Sequence, residues 1–242
     1  MNSHPGPTIR SSDLVTDFLE DILHGHFSSI TLIVCGTREK FTQQLLTSIQ
    51  LQSQYLETGD TEGEDPVSVA DTSSLCHTVF SNTIDILDKS QRVILSFCPS
   101  LEHLRAYLGA PSIWPSSRFN SGRNASHEGQ PLLGIINLIA LHFHTSEYSA
   151  QGISRTLALA VEVAAKKDMD LVLCECQDLN APDQDIACSG SLLNAVVPLL
   201  NSTVKGRHSE GIPATKTIQI KEIAKKWFYF DLTETEGSGL PL

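Results

Sequence analysis

Hydrophobic residues are most densely patterned between Leu132 and Gln177, and this stretch predicts the centre of the fold. Leu132–Leu141 is almost entirely apolar and follows Pro131, as expected for a strand that is buried on both faces. A second apolar run begins with Leu171–Cys174. Between the two runs, apolar residues recur at helical spacing, namely Ala150, Ile153, Leu157, Val161 and Ala164. A strand, a helix and a strand of this length predict a right-handed crossover within a parallel sheet.

The ends of the predicted helix carry capping and charge signals. Thr145 or Ser146 offers an N-cap hydroxyl, and Glu147 places an acid near the positive end of the helix. Lys166-Lys167-Asp168 supplies basic residues where the helix should close. These signals predict a helix that begins soon after residue 145 and ends near residue 168.

The same analysis predicts further elements on both sides of this central unit. On the N-terminal side, the predicted elements are helix Leu14–His24, strand Ser29–Cys35, a helix containing Phe41–Ile49, a helix at Cys76–Leu87, strand Arg92–Cys98 and a helix over Leu101–Leu108. On the C-terminal side, Leu192–Leu200 is apolar and fits either element type, while Thr215–Ile223 and Lys226–Leu232 predict the strands of a hairpin. Strands that alternate with helices and end in an antiparallel pair predict a three-layer α/β domain with a mostly parallel central sheet.

Composition and charge narrow the class of protein. Of the 242 residues, 40% are hydrophobic and 19% are charged, which is ordinary for a globular protein and excludes general disorder. The net charge of −11 argues against a broad phosphate-binding surface but leaves room for a local basic patch. No apolar run approaches the roughly 18 residues of a membrane span, and residues 1–13 lack a hydrophobic secretion signal. Cys35, Cys98, Cys174 and Cys176 fall on predicted strands, which favours buried, reduced thiols inside a cell.

The order of the elements and several local motifs resemble the ATPase core of RecA-type recombinases and their small paralogues. In that family a hydrophobic strand ending in Asp is followed by a Thr-Asp-Tyr-Ser-like turn, a long helix, and an apolar strand ending near Thr-Asn-Gln. The corresponding positions here are Leu133–Asn137, His144–Ser149, the predicted helix and Cys174–Gln177. Arg92–Leu108 looks like the family's second strand with its Phe-Arg-x-Glu-Arg-Leu helix. The resemblance implies a RecA-like fold of the phosphate-loop type over most of residues 28–232.

The phosphate loop of that family is degenerate in this chain. Such a loop needs several glycines, a Lys for the β/γ charge and a Ser/Thr hydroxyl for Mg²⁺, whereas Gly36 is a single glycine. If Thr42 is aligned with the family's Thr, Phe41 stands at the Lys position. If Lys40 is used as the Lys instead, Phe41 stands at the hydroxyl position.

The acidic residues that the resemblance requires are also missing. Asn137 stands where a metal-side Asp is expected, and Glu102, on a predicted helix, is the acid nearest to the water-activating position. The resemblance therefore implies a degenerate and inactive phosphate and metal site at Gly36, Lys40, Thr42 and Asn137. No catalytic residue, metal or cofactor is expected.

The predicted domain organisation follows from the same patterns. Residues 1–12 are expected to be a disordered N-terminus, residues 13–234 a single RecA-like domain, and residues 235–242 a disordered C-terminus. Within the domain, loops are expected at 53–75, which is acidic and poor in core residues, and at 110–130, which is polar and contains prolines and glycines.

Two further groups have the chemistry of metal or acid sites. His142 and His144 lie two residues apart, as do Cys174 and Cys176 on the next strand, and metal sites use this spacing. A strand-end pair of histidines near core thiols is the preferred interpretation. Glu175 is expected at the carboxyl end of a parallel strand, where α/β folds bind ligands. An ordinary strand-end charge is preferred there over a functional acid.

The C-terminal region combines basic and aromatic residues. A cluster suited to single-stranded nucleic acid is formed by Arg207, Lys216, Lys221, Lys225 and Lys226, although a solvated hairpin is the preferred explanation. The run Trp227-Phe228-Tyr229-Phe230 would be apolar on both faces of a terminal strand. It therefore predicts a contact with a partner subunit.

These observations favour a non-catalytic, RecA-like pseudo-ATPase. The resemblance to small recombinase paralogues implies the function of a subunit of a heteromeric complex that assists homologous recombination and DNA repair in the nucleus. Its expected partners are other RecA-like or recombinase-paralogue subunits, with DNA contacted locally if at all and no membrane involved. One alternative is a RecA-like scaffold subunit of the Elongator tRNA-modification complex in the cytoplasm, and another is a weak NTPase that uses Lys40.

Overall fold

The computed structural model describes residues 6–58, 84–110, 114, 129–143, 145–176, 192–199 and 216–230. Its strands are β1 (Thr8–Ser12), β2 (Ile30–Val34), β3 (Val93–Phe97), β4 (Leu132–Ile136), β5 (Asp170–Cys176), β6 (Val196–Pro198), β7 (Thr217–Gln219) and β8 (Tyr229–Phe230). Its helices are α1 (Val15–His24), α2 (Arg38–Thr58), α3 (Ile84–Ser90), α4 (Leu101–Gly109), α5 (Leu138–His142), α6 (Ala150–Lys167) and α7 (Ile220–Ala224), with a 3₁₀ turn at Leu192–Asn194.

Six of the strands form one sheet in the order β3-β2-β4-β5-β1-β8, and every neighbouring pair in it is parallel. β6 and β7 form a separate antiparallel pair. The predicted strand-helix-strand unit in a parallel sheet is confirmed, because β4 and β5 are parallel neighbours joined through α6. The α/β class and the mostly parallel central sheet are likewise confirmed.

Helices cover both faces of the sheet. One face packs against α4, α6 and α7, and its core includes Leu104, Ile153 and Ile223. The opposite face packs against α1 and α2, through Phe18 and Phe41 among others. Both faces of β2 and β4 are therefore buried, which explains why these strands read as continuous apolar runs.

Gly134 marks the tightest packing within β4. A Cβ at this position would lie 2.9 Å from Leu32 Cδ1 and 3.7 Å from the Phe18 ring. The missing side chain makes room for these two large residues, both of which are almost fully buried. A glycine within an otherwise apolar strand thus reflects close packing with α1.

The prediction of a disordered N-terminus is wrong for Thr8–Ser12. These residues form β1, which lies between β5 and β8 and pairs with both. Only Ile9 of this strand is apolar, and it is fully buried. Backbone hydrogen bonds to β5 order the segment, and they leave almost no hydrophobic signal in the sequence.

The predicted terminal hairpin is also wrong. Thr217–Gln219 pairs with β6, and Tyr229–Phe230 joins the main sheet beside β1 in parallel. Between them, Ile220, Ile223 and Ala224 are buried on one side of α7, because their spacing is that of a helix and not of a strand.

Two predicted boundaries change. The strand predicted at Leu132–Leu141 ends at Ile136, and Leu138–His142 is helical. The loop predicted at 53–75 is wrong for residues 53–58, because α2 continues to Thr58, and residues 59–83 lie outside the described residues. Within the loop predicted at 110–130, Trp114 is buried and stacks on Tyr107 at 5.4 Å, and its indole N–H donates to the Tyr107 carbonyl. The segment predicted as a disordered C-terminus, 235–242, lies outside the described residues.

Across the described ranges, no helix is both long enough and apolar enough to span a membrane.

Candidate functional site at the carboxyl edge of the sheet

The topology identifies one place where a ligand site is expected. From β2 the chain continues to β3 on one side, whereas from β4 it continues to β5 on the other side. The helices that follow, α2 and α6, pack on opposite faces of the sheet. Doubly wound α/β proteins bind ligands at such a switch point, just beyond the carboxyl ends of the strands. The candidate site therefore lies at the ends of β2 and β4.

The connection after β2 is short and held by the backbone. The Cys35 N–H donates to the Ile136 carbonyl at 2.9 Å, and the Gly36 N–H donates to the Cys98 carbonyl at 2.9 Å. A Cβ at Gly36 would meet nothing within 4 Å. Gly36 therefore faces open space, and the packing does not require a glycine there.

The side chains that a phosphate site would use point elsewhere. Thr42 is exposed, and its hydroxyl donates to the Arg38 carbonyl at 2.9 Å within α2. Phe41 is buried against the Phe97 ring, with centroids 5.9 Å apart. Lys40 is exposed in the first turn of α2, where its N–H donates to the Thr37 hydroxyl at 3.2 Å. Gly36 and Lys40 thus lie near the switch point, while Phe41 fills the adjacent core.

Each strand-to-helix connection in the described part of the sheet is short. Residues 13–14, 35–37, 98–100 and 137 separate β1, β2, β3 and β4 from the helices that follow them. A phosphate loop of the G-x-x-x-x-G-K-[ST] type has eight residues, which wrap backbone N–H groups around the phosphates. None of these four connections has the length for that arrangement.

Asn137 ends β4 and hydrogen-bonds to the neighbouring strand β5. It adopts a left-handed conformation with φ of 60°, which ends the strand and starts α5. Its N–H donates to the Cys174 carbonyl at 2.8 Å, and its Oδ1 accepts from the Cys176 N–H at 2.8 Å. The amide oxygen at the predicted metal position is thereby used to join β4 to β5.

Glu175 on β5 accepts hydrogen bonds from the first turn of α5. Its carboxyl oxygens accept from the Ile139 N–H at 2.7 Å and the Ala140 N–H at 3.2 Å, and the Leu138 N–H adds a third hydrogen bond. The side chain is only 5% exposed, so burial raises the pKa of Glu175 to about 7 against the opposing effect of these donors. The preferred sequence interpretation, an ordinary strand-end charge, missed this burial.

Buried thiols surround this edge. Burial, Glu175 and the neighbouring Cys98 raise the pKa of Cys35 well above its usual value of 9.0. Burial also raises the pKa of Cys98. On the other face of β5, Cys174 Sγ lies 3.6 Å from Cys176 Sγ, and this contact raises the pKa of Cys176. Cys35, Cys98 and Cys176 are therefore protonated and poorly reactive near neutral pH.

His142 lies on α5, and its expected position on a strand is wrong. The ring is fully buried, with Nδ1 3.3 Å from the Glu147 carbonyl oxygen and Nε2 3.1 Å from Thr156 Oγ1. Because the carbonyl can only accept, Nδ1 carries the proton in the neutral ring, and Nε2 lies beside the Thr156 hydroxyl. Burial lowers the pKa of His142 from 6.5 to about 4. His144 lies outside the described residues.

A polar network that the sequence did not indicate surrounds His142. Arg105 on α4 donates to both carboxyl oxygens of Glu147, at 2.8 and 2.5 Å, and also donates to Thr156 Oγ1 at 3.0 Å. The guanidinium holds the pKa of Glu147 below its usual value. The network joins α4, α5 and α6. The sequence does contain one signal for this network. Thr156 lies on the apolar face of α6, and a buried hydroxyl requires a hydrogen-bond partner.

The described residues contain no group of three or more His, Cys, Asp or Glu side chains that could hold a metal ion. Both ring nitrogens of His142 face protein atoms, namely the Glu147 carbonyl oxygen and the Thr156 hydroxyl, and Cys174 and Cys176 belong to the core on the α1 and α2 face of the sheet. The chemistry of this edge is therefore hydrogen bonding to backbone, with thiols as neighbours.

The predicted basic cluster lies along β7 and α7. Lys216, Lys225 and Lys226 are exposed, and Lys225 pairs with Glu222 at 2.6 Å. Lys221 lies 5.4 Å from the centroid of the Phe230 ring. Arg207 lies outside the described residues. The cluster is therefore part of the C-terminal elements and not of the switch point.

The four aromatic residues predicted as a partner interface divide between core and surface. Phe228 is buried in the main core, and Trp227 and Phe230 are half-buried against it. Tyr229 is 71% exposed, and its N–H donates to the Pro7 carbonyl at 2.8 Å. A Cβ at Gly6 would lie 2.5 Å from Cε2 of this ring, so the ring rests directly on the Gly6 backbone.

The fold and the site together define a doubly wound α/β protein in which the polar side chains at the switch point hydrogen-bond to the protein's own backbone. A family model described as SPAC22G7.03-like matches residues 12–235. The match covers most of the chain, so the chain belongs to the SPAC22G7.03-like family. No curated protein matches the chain.

Proposed function

We propose that this protein is a non-catalytic, RecA-like subunit of a heteromeric complex that assists homologous recombination and DNA repair. The observation that carries the proposal is that the polar side chains near the switch point make their hydrogen bonds within the protein. There, Asn137 Oδ1 accepts from Cys176, the Glu175 carboxyl accepts from α5, and the Thr42 hydroxyl donates to Arg38. Groups already committed to the protein are poorly placed to bind Mg²⁺ or phosphate.

The short strand-to-helix connections support the same conclusion. Nucleotide hydrolysis depends on backbone donors, a Lys and a metal ion that act together on the transferred phosphoryl group. Here Phe41 is part of the core, next in sequence to Lys40, the candidate Lys that follows β2. An α/β fold that lacks this machinery can still serve as an assembly part, because its surfaces remain available to partner subunits.

Tyr229 is the best-supported point of contact with a partner. It is a large aromatic side chain, mostly exposed, on the outermost strand of the sheet, and the backbone holds it in place. Rigid aromatic residues of this kind are enriched among interface residues that dominate binding energy. The resemblance to recombinase paralogues suggests that the partner is another RecA-like subunit and that the compartment is the nucleus.

Nucleotide binding tests the non-catalytic part of the proposal. Purified protein would be titrated with a fluorescent ATP analogue and Mg²⁺, and ATP turnover would be measured alongside. We expect neither binding nor turnover above the level of Lys40→Ala, with Lys167→Ala, another exposed lysine, as the matched control. Turnover that disappears in Lys40→Ala and persists in Lys167→Ala would instead establish a weak NTPase.

Affinity purification of the tagged full-length chain from its native cell tests the partner. Recovery of a recombinase paralogue, identified by mass spectrometry, would support the proposal. Recovery of a ring of related RecA-like subunits with the tRNA-modification machinery would contradict it and identify an Elongator scaffold in the cytoplasm. Recovery of the chain alone would contradict both assignments.

A further inference from the structure

The two edges of the six-stranded sheet differ in length and in polarity. At one edge, β8 has two residues in the described part of the chain, and the exposed Lys225 and Lys226 lie shortly before it. At the other edge, β3 has five residues, among them no charged residue, proline or glycine. Proteins usually protect an exposed edge by these means, because an edge strand can pair with another chain. β3 carries none of these protections.

One side of the β3 backbone lacks hydrogen-bond partners within the described residues. The Arg92 carbonyl accepts from β2 at 3.0 Å, and the Cys98 N–H donates to β2 at 2.8 Å. Alternate residues of a strand direct their N–H and C=O groups to the same side. The backbone groups of Val93, Leu95 and Phe97 therefore point away from β2, towards the open edge.

The same three residues present apolar side chains on one face of the sheet. Val93 and Phe97 pack against the core on the α1 and α2 side. Leu95 lies between them in the strand and shares this face, because side chains alternate along a strand. Leu95 is nevertheless 44% exposed. The edge thus offers both backbone hydrogen-bond groups and apolar surface to one more strand.

The edge of β3 is complementary to a second copy of itself. When two β3 strands run antiparallel with Leu95 opposite Leu95, Val93 of each chain lies opposite Phe97 of the other. Each of these pairs forms both hydrogen bonds of an antiparallel ladder, so every outward N–H meets an outward C=O. The side chains that face each other across the two strands are all apolar.

The charges next to β3 do not oppose this association, although the chain has a net charge of −11. On α3, which leads into β3, Asp85 pairs with Lys89 at 2.7 Å and Asp88 pairs with Arg92 at 2.9 Å. A second copy therefore meets balanced charges at this edge. The exposed Ile84 and Leu87 on α3 add further apolar surface.

We propose that two copies of this chain associate by antiparallel pairing of their β3 strands about a two-fold axis at Leu95. The pairing joins the two sheets into one continuous sheet. It does not depend on the proposed function, since Tyr229, the proposed contact with another subunit, lies on β8 at the opposite edge.

The molecular mass in solution tests the association. The purified full-length chain would be studied by analytical ultracentrifugation from about 1 μM to about 100 μM. We expect a monomer–dimer equilibrium in which the dimer fraction rises with concentration. A monomer at every concentration would overturn the proposal.

Two charge variants test the two-fold axis, which places residue 95 opposite its own copy. Leu95→Lys and Leu95→Glu should each weaken the dimer about tenfold or more, because like charges then face each other. An equimolar mixture should associate more strongly than either variant alone, because the new charges then have opposite signs. Val196→Lys, at an exposed apolar residue on β6 of the other sheet, is the matched control and should dimerise like the wild type. Equal dimerisation of Leu95→Lys and Val196→Lys, or a mixture without rescue, would contradict the pairing.

Hydrogen exchange in the wild-type chain covers the case in which the Leu95 variants do not fold. Resolved to single amides by mass spectrometry, the outward N–H of Leu95 should be protected at the high concentration and not at the low one. The Ile94 N–H faces β2 and should be protected at both. Protection of Leu95 that is the same at both concentrations would show that no second copy covers this edge.

Discussion

At the scale of single residues, two buried ionisable groups hold the two ends of α5 with opposite effects of pH. Glu175 supports the first turn and His142 the last, where the ring meets Glu147 and Thr156. Burial raises the pKa of Glu175 to about 7 and lowers that of His142 to about 4. Both shifts favour the neutral form, because each group lies away from water.

The pH dependence of stability should reveal this opposition. Between pH 6.5 and 4 the unfolded state binds a proton at His142 that the folded state does not, so the contribution of His142 is lost as pH falls. Between pH 4.5 and 7 the folded state keeps a proton on Glu175 that the unfolded state releases, so its contribution is lost as pH rises. We expect the two effects largely to cancel in the wild type between about pH 4.5 and about pH 6.5.

Substituting either residue should reveal the pH dependence of stability that the other contributes. Relative to the wild type, the free energy of unfolding of His142→Gln should fall as pH rises through this window, and that of Glu175→Gln should rise, each by up to about 1.4 kcal/mol per pH unit. Urea unfolding at several pH values measures both slopes, and shared groups cancel in the comparison. Parallel slopes in the two variants would contradict the assignment.

Sequence reasoning located these residues without finding their roles. Glu175 was recognised as lying at a strand end, which is correct, but its burial depends on α5 folding over it. His142 was placed on a strand because Leu132–Leu141 is apolar throughout. The strand ends instead at Asn137, where a left-handed residue starts a helix. Apolar runs buried on all sides give no periodicity that separates strand from helix.

At the scale of elements, the turn before α6 decides how that helix is attached. The predicted cap was Thr145 or Ser146, but the helix is capped by Ser149, whose hydroxyl accepts from the Gly152 N–H. Thr145 instead donates to the His142 carbonyl at 2.8 Å and accepts from the Glu147 N–H. It therefore organises the preceding turn and aims Glu147 at Arg105 on α4.

A double-mutant cycle on Arg105 and Glu147 tests this attachment. The pair is bidentate and partly shielded from water, so we expect a coupling energy of about 1 kcal/mol, measured by urea unfolding at low salt. The exposed pair Glu162–Lys166 on α6 is the matched control and should couple by about 0.5 kcal/mol or less. Equal coupling in the two pairs would show that Arg105 does not hold α6 to α4.

At the scale of the whole molecule, segments from the two ends of the described chain form one side of the open sheet. β1 lies beside β5, and β8 lies beside β1. The strand that completes the sheet is thus one of the least hydrophobic, and its partners are more than 150 residues away in sequence by the register Thr8↔Val172. Pairing over such separations is fixed by tertiary packing and not by local pattern.

Phe228 and Tyr229 are adjacent residues that should separate stability from assembly. Phe228→Ala should cost about 3 to 5 kcal/mol in unfolding free energy, because a buried ring leaves a cavity. Tyr229→Ala should leave stability nearly unchanged, yet weaken binding to the co-purified partner about tenfold or more. Urea unfolding measures the effect on stability, and a pull-down measures the effect on binding. Leu46→Ala, at another exposed apolar residue, is the control variant. Undiminished binding by Tyr229→Ala would remove Tyr229 from the interface.

The sequence by itself determined the α/β class, the parallel β4–α6–β5 unit and the approximate positions of β2, β3, α1, α2 and α4. It did so because each of these elements buries a face whose period is written in its own residues. Only the tertiary structure decided that Thr8–Ser12 is a strand, that the predicted hairpin strands belong to two different sheets, and that Glu175 is buried beneath α5. These features depend on backbone hydrogen bonds and on burial by distant segments, which leave no periodic signal in the sequence.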